Sequence, residues 1–151
     1  MTLIRRSLLA APLAAIGRRE LARFDDLLQQ RIELTSLLLD LLRDVPQATP
    51  LPQPPGQRWN HYAPLLRLNV GHPRSFAEHL ARTGVPNSTG SFGLVPLDQR
   101  PMFTTDMPAC ITTATFLDGI LAVVLTHDDD VHRIRDYAET ITQEVTRWAS
   151  T

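Results

Sequence analysis

The side chains with the widest chemical range in this sequence stand in short runs. Asn60-His61-Tyr62 sets an amide, an imidazole and a phenol side by side. Such a set donates and accepts hydrogen bonds and moves a proton near neutral pH. It is the best candidate for polar contact with a ligand, although the same residues also suit a strand end with a packed tyrosine. A second run, Asn87, Ser88, Thr89 and Ser91 around Gly90, offers hydroxyl and backbone N–H groups to a phosphate or a sugar. It equally describes an ordinary surface loop. His127, Asp128, Asp129, Asp130 and His132 gather acids and imidazoles, with Asp128 and His132 spaced to share a helix face. A zinc site needs several convergent ligands with outer-shell support, so this cluster reads as helix capping and dipole compensation. His72 and His79 lie about two helical turns apart, too far to share a metal.

What is absent constrains the chemistry more than what is present. All fifteen basic residues are Arg, and none is Lys. A lysine amine forms the Schiff base with a carbonyl cofactor or substrate. A guanidinium stays protonated and cannot replace it. Covalent lysine catalysis by these 151 residues is therefore excluded. The single cysteine, Cys110, permits no internal disulfide and, in its apolar run, reads as a buried inert thiol of a cytoplasmic protein. No Ser-His-Asp spacing, phosphate-binding glycine loop or G-x-G-x-x-G run occurs.

A net charge of −1 with scattered arginines argues against nucleic acid as a partner. No run approaches the roughly 20 apolar residues of a membrane span. Arg5-Arg6-Ser7 followed by Leu8 to Ile16 has the outline of a twin-arginine export signal. Pro12 interrupts it and apolar residues continue at helical spacing beyond it, so a helix is expected instead.

The elements that position these residues follow from periodicity. An apolar fraction of 43% supports one packed domain. Residues 3–43 read as a helical arm. Leu21, Phe24, Leu27 and Leu28, then Leu34, Leu37, Leu38, Leu41 and Leu42, form its stripe. Pro12 is expected to divide it, leaving a long helix over about 13–43. Residues 44–58, with six Pro or Gly residues, read as an extended connection. The core is expected over 59–151. It comprises a strand at 59–69, a helix at 73–83, a loop at 85–103, a helix at 107–116, a buried strand at 119–125 and a last helix to about 148. Asp128, Asp129 and Asp130 are placed in that helix's first turn. The fold class is α/β: a small two-layer α+β domain with a long N-terminal helix and a short sheet.

The order of these segments carries a resemblance. Arg6-Ser7-x-x-Ala10-Ala11, then Leu21-x-Arg23-Phe24-Asp25-Asp26-Leu27 and Arg31, resembles the helix that opens the C-terminal domain of the DegT-type aminotransferases. Leu42-x-Asp44-Val45-Pro46 and Asn60-His61-Tyr62-Ala63-Pro64-Leu65-Leu66 are similar to the next stretch. Leu80-x-x-x-Gly84-Val85, Leu94-x-Pro96-Leu97-x-x-x-Pro101-x-Phe103 and the run from Ile120 to Ile134 follow in the family's order. The resemblance implies the small C-terminal domain of a fold-type I aminotransferase, without the larger domain that carries the catalytic lysine and the pyridoxal phosphate. Such enzymes transaminate nucleotide-linked keto sugars or cyclic ketones of antibiotic pathways, and the small domain helps close over the substrate and takes part in dimer packing. The resemblance and the missing lysines together lead to the expectation of a non-catalytic or accessory subunit, binding no cofactor alone and paired with a separate lysine-bearing DegT-type chain that would hold the pyridoxal phosphate. The leucine-rich arm and the long loop would be its contact surfaces. Asn60, His61, Tyr62, Asn87, Ser88, Thr89 and Ser91 are the expected contributions to the partner's pocket, none of them catalytic. The sequence departs from the family at Asn87 to Ser91, where many relatives carry basic or aromatic residues. The alternative is a free-standing binding module for a small molecule or a protein, with the same fold and no activity.

Overall fold

A computed structural model describes residues 2–57, 59–103 and 108–150, with the side chains of 2–10, 90 and 91 outside the described set. The arm is two helices, α1 (Thr2–Ala22) and α2 (Phe24–Leu41). The division falls at Arg23 and not at Pro12, which lies inside α1. From residue 11 onward α1 is exposed on every side, so nothing packs against it to penalise a proline ring facing water. The break sits where Asp25 and Asp26 supply the acidic first turn of a new helix. There the Arg23 N–H reaches Glu20 O at 3.1 Å in a tighter turn.

Four short antiparallel strands follow, β1 (Ala48–Pro50), β2 (Leu65–Leu68), β3 (Asn87–Thr89) and β4 (Ile120–Val123), in the order β1-β2-β4-β3. They are joined by α3 (Pro73–Arg82), the single turn α4 (Gly90–Gly93) and α5 (Ile111–Asp118), and the chain ends in α6 (Val131–Ala149). β1 lies within the proline-rich 44–58 segment. Proline lacks the N–H a central strand must donate, and Pro50 duly sits on the sheet edge, opposite Leu66. β3 takes the opposite edge, inside the stretch expected to be a loop. It is three polar residues long, too short to show an alternating pattern.

Alternation along β2 and β4 divides the sheet into two faces. Leu66, Leu68, Leu121 and Val123 face a closed core with Leu34, Leu38 and Leu42, Phe76 and Leu80 of α3, and Ile134, Ile141 and Val145 of α6. The second half of the arm is thus part of the core. Ile120 and Ala122 point the other way, 2% and 0% exposed, beneath the turn of α4.

The start of α6 corrects the expected placement of its acids, while the capping role holds for Asp130. Asp128, Asp129 and Asp130 precede the helix. Asp130 is its N-cap and accepts the Arg133 N–H at 2.9 Å. That backbone hydrogen bond holds the Asp130 carboxyl below its usual range. Asp129, 2% exposed, accepts from the Thr126 N–H (2.6 Å), the Thr126 hydroxyl (3.1 Å) and the Tyr137 hydroxyl (3.2 Å). Burial and the neighbouring Asp129 charge push the Tyr137 phenol upward. At the other end of α6, the Trp148 indole N–H donates to Gly71 O at 2.7 Å, and His79 of α3 meets Glu144 at 2.7 Å. These contacts fasten the last helix to α3 and to the turn before it.

Candidate functional site

Residues 59–63 form a turn ahead of β2, not the first half of a strand. The cause is local. The Asn60 side-chain oxygen accepts the Tyr62 N–H at 3.1 Å, an Asx-turn that competes with strand pairing. His61 between them takes a left-handed conformation (φ 49°). Pro64 then ends the turn, and its carbonyl receives the Val123 N–H at 3.0 Å.

A second left-handed residue approaches from the other edge of the sheet. Phe92 in α4 has φ 67° and Gly93 after it φ 76°. Glycine tolerates this conformation. Phenylalanine adopts it at a cost, and such strain collects at functional sites. The outcome is a contact between Tyr62 and Phe92, ring centroids 5.2 Å apart and tilted by 51°. With Trp59, Asn60, His61, Ala63 and Leu65 these rings line an open depression of about 450 Å³. Tyr62 is 61% exposed. The depression offers aromatic faces for a flat or ring-shaped group, with an amide and an imidazole at hand to orient it.

The seven residues singled out in the sequence therefore part company. Asn60, His61 and Tyr62 meet in the depression. Asn87, Ser88 and Thr89 lie in β3, paired with Val123, Ala122 and Leu121, and are not among its described lining residues. The Asn87 amide is occupied structurally, donating to Ala77 O at 3.1 Å and Val85 O at 2.9 Å. The Ser91 side chain lies outside the described residues. Trp59, Leu65 and Phe92 went unnoticed in the sequence. Only Phe92 left a signal, an isolated aromatic between glycines where the chain otherwise turns polar.

The remaining candidates form no centre. Cys110 is half-buried rather than buried, its N–H on Asp98 Oδ2 at 3.0 Å. Among the described residues no cluster of His, Cys, Asp or Glu could hold a metal, and no helix is long and apolar enough to cross a membrane.

Residues 8–137 match the DegT/DnrJ/EryC1/StrS aminotransferase family. The chain belongs to this family. No curated protein sequence matches it significantly. Its fold is similar to that of the aminotransferase TlmJ of Streptoalloteichus hindustanus (18% identity, TM-score 0.75, 89% of this chain and 36% of that one). It is also similar to the putative sugar aminotransferase Spr1654 of Streptococcus pneumoniae (15%, TM-score 0.77, 91% and 35%) and to DesV of S. venezuelae (17%, TM-score 0.74, 87% and 35%). The chain thus spans about a third of the length of these solved relatives.

The family uses pyridoxal phosphate, and the residues of this DegT-family chain do not suit that cofactor by themselves. None of the 151 is Lys. Among the described residues lining the depression there is no carboxylate for a pyridine nitrogen and no guanidinium for a phosphate.

Proposed function

We propose that this DegT-family chain is the small-domain partner in an aminotransferase assembled from two polypeptides. It forms one wall of the substrate entrance while a separate lysine-bearing chain supplies the cofactor and the chemistry, in sugar or natural-product biosynthesis. The observation that carries this reading is the aromatic depression. Two non-glycine residues, His61 and Phe92, hold left-handed backbone to build it, yet its described lining includes neither a lysine nor a phosphate anchor. A site so shaped, without the means of reaction, fits a contribution to someone else's active site.

In that role the Tyr62 and Phe92 rings cover the substrate's apolar surface, Asn60 and His61 orient its polar groups, and the wall as a whole keeps water from the reacting centre. The test is turnover by the reconstituted pair. Replacing Tyr62 or Phe92 with Ala is expected to lower kcat/KM by about tenfold or more, corresponding to a lost contact of at least ~1.4 kcal/mol. Unchanged turnover in both variants would leave a scaffold role only. The competing reading, a free-standing binding module, draws support from the closed core, which α2, α3, α6 and the sheet build together with adjoining residues such as Val85 and Leu125.

A further inference from the structure

The face of β2 that carries Leu65 into the aromatic depression carries Arg67 into a second concavity, of about 610 Å³. The two share no lining residue. The second one is bounded by α5 and the end of β2, and its composition is lopsided. Ile111 and Phe116 of α5 are 72% and 49% exposed, and Leu68 and Pro73 add further apolar lining. Thr112 and Thr115 bring hydroxyls from the same helix. The ionic groups do not balance. Asp118 is already held by Arg74, through Nε at 2.8 Å and Nη2 at 2.6 Å. Arg67 has no ion-pair or side-chain hydrogen-bond partner among the described residues. One unmatched guanidinium beside apolar side chains calls for one anion attached to an apolar body.

We infer that this concavity is a binding site for a small amphipathic monocarboxylate. Arg67 takes the carboxylate in its fork, Thr112 and Thr115 donate to it, and Ile111, Phe116 and Pro73 cover its apolar tail. The volume lies within the ordinary range of small-molecule sites, about 300–1,000 Å³.

The experiment is a titration of the full chain, followed by backbone-amide NMR, with octanoate, octanol and inorganic phosphate as probes. Octanoate is expected to produce saturable shifts centred on Arg67, Thr112 and Thr115. Octanol, lacking the charge, and phosphate, lacking the tail, are expected to bind at least about tenfold more weakly. Arg67→Gln should weaken octanoate by about tenfold and leave octanol unchanged, while Arg67→Lys restores part of the affinity. Arg67 is exposed, so neither variant threatens the fold. Equal binding of octanol or of phosphate, indifference to Arg67→Gln, or shifts confined to the aromatic depression would each overturn the assignment.

Discussion

The two faces of the sheet were built under different demands. On one, Leu38, Leu42, Leu66, Phe76, Leu121, Ile134 and Ile141 are fully enclosed, and among the described residues β2, β4, α2, α3 and α6 interlock with only Thr35 and the hydrogen-bonded Asp129 as buried polar groups. On the other, Ile120 and Ala122 are covered, but the chain exposes Tyr62 and Phe92 beside Leu65, and Ile111 and Phe116 beside Arg67. Apolar surface left open in this quantity marks a face meant to meet something else. Two of its residues, His61 and Phe92, also sit in strained backbone. One face answers to stability, and the other spends some stability on shape.

The contrast is broken or sharpened most strongly by truncation on each side. Phe76→Ala and Leu38→Ala on the closed face are expected to cost about 3–5 kcal/mol in urea unfolding. Tyr62→Ala and Phe92→Ala on the open face should stay within about 0.5 kcal/mol of the parent chain. Comparable losses on both faces would remove the distinction. Next in size is the buried junction at the foot of α6. Asp129→Ala leaves the Thr126 N–H and the Tyr137 hydroxyl without their acceptor, at a cost of about 1–3 kcal/mol. Thr35 offers the opposite sign. Its hydroxyl is buried with no hydrogen-bond partner among the described residues, so Thr35→Val is expected to raise stability by up to about 1 kcal/mol.

The smallest effect is a pH dependence. The hydrogen bond from His79, with further help from the His79 and Arg147 charges, holds the Glu144 carboxyl below its ordinary value of 4.5. A group depressed on folding stabilises above its unfolded pKa, and that contribution is lost as pH falls through the folded value. Melting temperature should therefore decline below about pH 4.5, and Glu144→Gln should flatten that part of the profile.

The closed face was also the more legible in sequence. The apolar run of β4 and the spacing of Phe76 with Leu80, and of Ile134, Tyr137, Ile141 and Val145, announced a buried strand and two amphipathic helices. These signals are strong because many residues repeat one demand. The open face had no such redundancy. A single Asn60 side-chain hydrogen bond turns the expected strand at 59–63 into the turn that presents Tyr62. β1 and β3 are edges of three residues each, held by pairing with distant partners rather than by any local pattern. The break at Arg23 was masked by Pro12, a stronger local signal that an exposed helix absorbed. Half of the aromatic pair, Tyr62, was found through its neighbours and its resemblance. The other half, Phe92, depends on a backbone conformation that its residue type disfavours.

The most direct measurement is co-purification of the tagged chain from its native host, with the complex identified by mass spectrometry and scanned for pyridoxal-phosphate absorbance. A yellow complex containing a lysine-bearing DegT-family chain in fixed stoichiometry is the predicted result. A colourless, well-folded chain recovered alone would contradict the two-polypeptide enzyme and leave the independent binding module in its place.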